Sequence, residues 1–194
     1  MRTAKVERKT KETKVQVELG IDGKGNASID TRIGFLDHML TLVSVQGIFD
    51  LKVLAQGDLQ VDEHHTVEDI GFVLGQAFGK ALEERKGINR YGFFLLPMDE
   101  ALAQVAIDLG GRPCLQFDAD FKREKVGELS TELVYDFFEA FARGCMANVS
   151  IRLVLGRNDH HKIEAIFKAF ARALRMACEI DPRRKGVPST KGLI

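Results

Sequence analysis

Residues 62–82 read DEHHTVEDIGFVLGQAFGKAL, and the rest of the chain is built around this pattern. Behind the acidic start, apolar residues recur every three or four positions, which predicts an amphipathic helix. His64 and Glu68 are four residues apart, so they lie on one face of that helix. His65 is turned by roughly 100° about the helix axis relative to His64, so the two neighbouring histidines point to different places.

A second copy of this pattern occurs 96 residues further along the chain, where residues 158–174 read NDHHKIEAIFKAFARAL. Its histidines and glutamate are His160, His161 and Glu164. A single HHxxE pattern is more often an ordinary surface feature than a ligand set. Two copies, each at the start of a helix and behind an acidic residue, favour a metal site. Imidazole and carboxylate ligands together suit manganese, iron or zinc.

The composition excludes several classes of protein. The chain has 194 residues with 28 basic and 28 acidic side chains, and zero net charge argues against a broad nucleic-acid-binding surface. Its three cysteines include no CxxC pair and are expected to be core thiols of a reducing compartment. No apolar run has the length of a membrane span, and the charged segment 1–12 does not read as a signal peptide. We therefore expect a cytoplasmic protein that binds neither nucleic acid nor membranes.

The order of predicted elements also repeats. The first half is expected to contain strands near 3–9, 13–19 and 49–55 and a helix over 35–45, and the second half strands near 91–96, 101–109, 114–117 and 149–155 and a helix over 129–147. Each half then continues into an HHxxE helix, the first ending near Lys86–Gly87. This duplication predicts an α+β fold of two similar units, residues 1–90 and 91–180, packed as one body. Residues 181–194 form a basic tail.

The duplication also bears on Asp136. His38 lies in the helix that precedes the first HHxxE helix, and Asp136 lies in the matching helix of the second half. A carboxylate can bind a metal where an imidazole does. Asp136 is therefore either the counterpart of a ligand at His38 or an exposed helix residue.

Several polar residues lie in turns. Arg90 and Arg112 occupy glycine-containing loops, and the tail carries Ser189, Thr190 and Lys191. Such a tail is usually solvated or disordered. Beside a metal site, however, guanidinium groups, a lysine and a hydroxyl are the groups that bind a phosphate monoester.

Taken together, these motifs resemble the imidazoleglycerol-phosphate dehydratase family of histidine biosynthesis. The matching stretches cover nearly the whole chain and are KET (11–13), GFLDHML (34–40), DEHHTVEDI (62–70), GINRYG (87–92), DEA (99–101), GRP (111–113), NDHH (158–161), FKAFARAL (167–174) and PSTKG (188–192). The resemblance implies two half-domains, each a four-stranded sheet with two helices packed on one face. It also implies an assembly of 24 chains, a phosphorylated imidazole substrate, and two manganese ions per active site built between subunits.

The resemblance further implies the roles of individual residues. The implied metal ligands are His38, His64, His65, Glu68, Asp136, His160, His161 and Glu164. The implied catalytic residues are Glu12, His64, Glu68, His160 and Glu164, with Glu12 as the acid–base group. The implied phosphate-binding residues are Arg90, Arg112, Lys168, Ser189, Thr190 and Lys191. Asp136 and Gln46 depart from the family, in which histidine is frequent at both positions, and Asp136 leaves the geometry of one metal open.

The implied reaction removes water from D-erythro-imidazole-glycerol phosphate and yields imidazole-acetol phosphate. The C–H bond to be broken is not acidic, because no carbonyl is adjacent. The hydroxyl next to the ring must therefore leave before a carboxylate such as Glu12 removes the proton. By residue chemistry alone, Glu12 reads as a solvated charge at the start of a strand.

Two other classes fit part of the pattern. A dinuclear phosphohydrolase would also need two metals and basic residues, but it would release inorganic phosphate. A non-catalytic metal-storage shell would have little use for Arg90, Arg112 and residues 189–191.

Overall fold

The computed structural model describes residues 1–194 and contains two four-stranded sheets, each with two helices. The first half consists of β1 (Thr3–Lys9), β2 (Thr13–Gly20), β3 (Ala27–Asp30), α1 (Gly34–Gly47), β4 (Asp50–Gly57) and α2 (His64–Leu82). The second half consists of β5 (Tyr91–Met98), β6 (Ala101–Asp108), β7 (Cys114–Asp118), the short strands β8 (Lys125–Val126) and β9 (Leu129–Ser130), α3 (Leu133–Cys145), β10 (Asn148–Leu155) and α4 (Asp159–Cys178). The predicted α+β fold with an internal duplication is confirmed.

The two sheets have the same topology. Their strand orders are β1-β2-β4-β3 and β5-β6-β10-β7, and in each sheet only the last pair is parallel. In β2, Val15, Val17 and Leu19 are buried, as their alternation with polar residues predicts. The helices α1 and α3 end alike, because Ile48 and Met146 both adopt left-handed backbone conformations, with φ of 56° and 52°.

The helices of one half pack against helices of the other half. Helix α1 contacts α4, and α2 contacts α3. The approach of α2 to α3 depends on glycine, since a Cβ atom on Gly71 would lie 2.4 Å from the carbonyl oxygen of Phe137. The two halves share one continuous cluster of 52 buried residues, so they fold around a single core.

Two element boundaries differ from the sequence prediction by about four residues. Helix α2 ends at Leu82, where Glu83 turns the chain out of the helix with φ of 48°, and does not extend to Lys86–Gly87. Helix α3 begins at Leu133 and not at Leu129, because residues 125–130 form the β8–β9 pair.

The strand β3 was not predicted from the sequence. It is a short edge strand in which Ile29 is the only large apolar residue, and its side chains are mostly exposed. Such a strand lacks the alternation that reveals a half-buried strand. No helix of the chain has the length and apolar character needed to cross a lipid bilayer.

Candidate active site

Three of the predicted ligands form a compact cluster where α1 meets α4. The Nε2 atoms of His38 and His160 lie 3.6 Å and 3.2 Å from Oε2 of Glu164. The candidate ligand atoms of all three residues lie within 4.8 Å of one another. Two imidazoles and one carboxylate at this spacing fit a divalent ion such as manganese, iron or zinc.

Glu164 is held in its charged form in this cluster. Its side chain is only 8% exposed, and Nζ of Lys168 lies 2.6 Å from its Oε1. Burial raises the pKa of the Glu164 carboxyl, but the hydrogen bond and charge of Lys168, together with the nearby His38 and His160, bring that pKa below its ordinary value. Lys168, predicted to bind phosphate, therefore borders the histidine cluster.

The paired histidines have the same geometry in both copies of the pattern. The ring centroids of His64 and His65 are 6.0 Å apart with an interplanar angle of 83°. Those of His160 and His161 are 6.0 Å apart with an angle of 84°. The rings of each pair are thus separate and nearly perpendicular, and their adjacent helix positions direct them to different sides of the helix, where they can serve different partners.

The second histidine of each pair is oriented by a carboxylate. Nδ1 of His65 lies 3.1 Å from Oδ2 of Asp58, and Nδ1 of His161 lies 2.7 Å from Oε2 of Glu100. These hydrogen bonds raise the pKa of both imidazoles above the ordinary value. A carboxylate at Nδ1 fixes the ring and leaves Nε2 for another partner, which is the usual arrangement around metal-binding histidines.

Glu12 lies in the turn between β1 and β2, close to the first histidine pair. Its side chain is exposed and makes no hydrogen bond within the chain, and its charge adds to the effect of Asp58 in raising the pKa of His65. Glu100 lies in the corresponding turn of the second half, between β5 and β6. The two glutamates are thus equivalent in the repeat, but only Glu100 is fixed on a histidine.

Sequence reasoning assigned no role to Asp58 or Glu100. The 88-residue offset between the strand pairs β1–β2 and β5–β6 relates Glu100 to Glu12, and this signal was available in the sequence. No comparable signal marks Asp58, because the 98-residue offset between β4 and β10 relates it to Gly156, which has no carboxylate.

The corresponding residues of the first copy are not gathered into one cluster. Oε1 of Glu68 accepts a hydrogen bond of 2.6 Å from Nη2 of Arg143. Asp136 is partly exposed in the first turn of α3 and forms no hydrogen bond or ion pair within the chain. Within a single chain, His64, Glu68 and Asp136 therefore do not close around one point, and a ligand role for Asp136 stays a prediction.

Arg90 connects the second sheet to the tail. Its guanidinium forms a two-pronged pair with Asp108, with Nε–Oδ1 of 2.6 Å and Nη2–Oδ2 of 3.1 Å. Its Nη1 donates a hydrogen bond of 2.8 Å to the carbonyl oxygen of Pro188. The backbone N–H of Gly87 bonds the carbonyl of Gly186 at 3.0 Å. The tail is thus attached to the loop that carries Arg90.

The end of the tail lies against the loop that carries Arg112. A Cβ atom on Gly111 would be 3.0 Å from Ile194, whereas the Arg112 side chain is exposed. Ser189 Oγ accepts the backbone N–H of Lys191 at 3.2 Å, and Thr190 and Lys191 are exposed. Arg90, Arg112 and residues 189–191 thus lie on connected loops, while Lys168 lies with Glu164.

Comparisons of the sequence and of the structure with known proteins point to the same family. The family model described as imidazoleglycerol-phosphate dehydratase matches residues 31–174. The chain is 56% identical over 195 residues to a protein of Koribacter versatilis named imidazoleglycerol-phosphate dehydratase, with full coverage of both chains. It is 54% identical to half of a protein of Spirosoma linguale named histidine biosynthesis bifunctional protein HisB. The crystal structure of the Pyrococcus furiosus dehydratase in complex with (S)-C348 has a TM-score of 0.85 and 35% identity, covering 97% of this chain and all of that one.

Proposed function

The chain belongs to the imidazoleglycerol-phosphate dehydratase family, and we propose that it is the hydro-lyase that converts D-erythro-imidazole-glycerol phosphate into imidazole-acetol phosphate in histidine biosynthesis. The observation that carries this proposal is the doubled histidine pattern. His160 and Glu164 of the second copy form a compact cluster of possible metal ligands with His38. Glu12 lies near His65 of the other histidine pair and supplies a carboxylate there.

We propose that two manganese ions act in each active site. The proposed ligands are His38, His64, His65, Glu68, Asp136, His160, His161 and Glu164. When bound, such ions would act as Lewis acids that favour negative charge on the substrate ring. The donor set fits this role, since it combines imidazole and carboxylate groups and contains no thiolate.

Other residues of the chain are proposed to transfer the proton and to bind the phosphate. The hydroxyl on the carbon next to the ring leaves with its bonding electrons, and Glu12, whose carboxylate has no partner in the chain, accepts the proton from the adjacent side-chain carbon. This hydroxide and this proton together make up the water that is eliminated. The residues proposed to hold the phosphate are Arg90, Arg112, Lys168, Ser189, Thr190 and Lys191. Guanidinium groups bind phosphate through paired N–H donors, and lysine adds a point charge.

We also propose that the active protein is a cytoplasmic assembly of 24 chains with sites between subunits. Support for sites between subunits comes from the unequal copies of the pattern. His38, His160 and Glu164 meet within one chain, whereas His64, Glu68 and Asp136 do not. A second chain would have to complete the latter set.

An assay with two readouts tests the proposed reaction. A dehydratase forms an enolisable ketone, detected by its ultraviolet absorbance, and leaves the phosphate on the product. A phosphohydrolase would instead release inorganic phosphate without forming the ketone. Ketone formation at the rate of substrate consumption, without free phosphate, is expected; phosphate release alone would contradict the proposal.

Metal analysis is expected to find about two manganese ions per chain after loading and buffer exchange, because the HHxxE pattern occurs twice. Inductively coupled plasma mass spectrometry on protein of known concentration gives this ratio. A ratio near zero, together with full activity in chelator, would remove the metal from the proposal.

Replacing Lys191 by alanine is expected to raise KM about tenfold or more and to change kcat little. The lysine would contact the phosphate, which is remote from the reacting carbons, and an interaction of equal strength in ground and transition states changes KM alone. Truncation before Ser189 should have the same direction and a larger effect. Lys185→Ala is the matched control, because Lys185 is exposed in the same tail and makes no side-chain hydrogen bond. An unchanged KM in the truncated protein would mean that the tail does not bind the substrate.

A further inference from the structure

The segment between β7 and α3 has no counterpart in the first half. Only Thr31–Ile33 separate β3 from α1, whereas residues 119–132 separate β7 from α3 and contain the β8–β9 pair. We call residues 119–132 the inserted hairpin. Its turn begins at Gly127, whose φ of 59° suits the first central position of a tight hairpin turn.

One end of the inserted hairpin is attached to the start of α4 by Asp159. Oδ2 of Asp159 accepts the backbone N–H groups of Lys122 at 2.9 Å and Arg123 at 2.8 Å. Oδ1 of Asp159 pairs with Nζ of Lys162 at 2.8 Å, and the same Nζ donates to the carbonyl oxygen of Asp120 at 3.1 Å. Asp159 is only 2% exposed, so these groups have no access to water that could replace the bonds.

The other end is attached to the start of α2 by Glu63. Oε1 of Glu63 accepts the backbone N–H of Ser130 at 2.8 Å and its hydroxyl at 2.5 Å, and Nζ of Lys125 lies 3.0 Å away. Burial raises the pKa of the Glu63 carboxyl, but the hydrogen bonds of Ser130 and Lys125 lower it to about 2. Glu63 is therefore a charged carboxylate whose partners are Ser130 and Lys125 of the inserted hairpin.

The inserted hairpin is itself firmly held. The N–H of Thr131 bonds the carbonyl of Glu124 at 2.8 Å, and its hydroxyl bonds the carbonyl of Arg123 at 2.7 Å. Val126 and Leu129 are buried in the core. A displacement at one end of the hairpin is therefore transmitted to the other end through hydrogen bonds and packed side chains.

The acidic attachment residues occupy equivalent positions in the repeat, each immediately before a histidine pair. Glu63 precedes His64, and Asp159 precedes His160. Neither side chain makes a capping hydrogen bond: Glu63 is the N-cap residue of α2, but the N–H of His64 bonds the carboxylate of Asp62 at 2.8 Å, and the N–H of His160 bonds the side chain of Asn158 at 2.9 Å. Glu63 and Asp159 are therefore free to hold the inserted hairpin.

We propose that Glu63 and Asp159 are positioning residues, and that the inserted hairpin between them fixes the two histidine-bearing helix starts relative to each other. The hairpin also lies against Phe35, where a Cβ atom on Gly127 would be 3.3 Å from that of Phe35. The Phe35 ring contacts that of His160 edge-on at 5.0 Å. This inference rests on the proposed metal binding, because the histidines that it positions are the proposed ligands.

The test uses Glu63→Gln and Asp159→Asn in the full-length, assembled protein. Titration with Mn²⁺, with the free ion measured by electron paramagnetic resonance, is expected to show dissociation constants raised about 10–100-fold, as for other residues that orient metal ligands. Hydrogen exchange measured by mass spectrometry gives a second readout without metal. In Asp159→Asn, exchange is expected to rise at residues 125–131 and also in the first turn of α2, which Asp159 does not touch.

Asp50→Asn is the matched control. The Asp50 carboxylate also holds a loop, accepting the N–H groups of Lys24 at 2.9 Å and Asn26 at 3.0 Å, but it has no contact with a histidine. This variant should lose stability without loss of manganese affinity. Ser130→Ala, which removes one hydroxyl bond to Glu63, gives a milder test if a carboxylate variant does not fold.

Two results would overturn the inference. One is that the wild-type protein binds manganese and both carboxylate variants bind it with the same affinity. The other is a rise in exchange confined to residues 120–123 in Asp159→Asn. If the wild-type protein itself bound no manganese, the proposed metal role would fail, and the exchange measurement would still decide whether the hairpin links the two helices.

Discussion

Replacing Glu12 by glutamine is expected to lower kcat about 10²–10⁴-fold, the loss typical of a missing general acid–base group. The amide has nearly the same shape but cannot accept the proton. The Glu12 side chain is exposed and makes no hydrogen bond within the chain, so the fold should be unchanged. Manganese content should also be unchanged, because no ligand role is proposed for Glu12.

Steady-state kinetics of the variant, with metal content measured on the same sample, checks this expectation. Glu7→Gln is the control, since Glu7 is an exposed glutamate of the neighbouring strand β1 whose carboxylate bonds only Gln16, at 2.7 Å, and pairs with Lys14 at 3.7 Å. It should leave kcat within about twofold of the wild-type value. A nearly normal kcat for Glu12→Gln would show that another group moves the proton.

Removal of the metal is expected to abolish turnover and to break the assembly into smaller oligomers. The two members of each histidine pair are neighbours on a helix and are turned by roughly 100° about its axis, so they cannot easily serve one ion. If ligands from different chains share an ion, each ion joins two chains. Stripping the ions would leave charged ligands unpaired at the interfaces, and binding energy that supported the assembly would be lost.

Size-exclusion chromatography with light scattering, before and after chelation, measures this change in mass. The same chelator saturated beforehand with manganese is the control for effects of the reagent itself. Readdition of Mn²⁺ should restore both the mass and the activity. If protein verified to be metal-free kept the mass of the intact assembly at low micromolar concentration, the expectation would be wrong. The metal sites would then lie within single chains or have no part in holding the assembly together.

The positions of the histidine helices followed from the sequence because they depend on short-range patterns. A period of three to four apolar residues is a property of the helix itself, and α2 and α4 begin within a residue or two of the predicted positions. The duplication was visible for the same reason, since both copies retain their histidines and glutamate in equivalent places. Asp136 and His38 likewise occupy corresponding helices, α3 and α1.

The inserted hairpin could not be predicted in this way. Its strands have two residues each, too few to show a period, and the predicted helix began at Leu129, so it included the second strand of the hairpin. It exists because Glu63 and Asp159, distant in sequence, satisfy its backbone N–H groups. Buried hydrogen bonds of this kind override local propensity.

The sequence by itself determined the fold class, the repeat, the family and the identity of the candidate ligands, because these depend on residue type and local spacing. Only the tertiary structure decided which candidates meet. It joined His38 to Glu164, placed Glu68 on Arg143 and left the side chain of Glu12 without a partner in the chain. Such pairings depend on how helices from opposite halves pack across the shared core, and packing between distant segments leaves no periodic signal in the sequence.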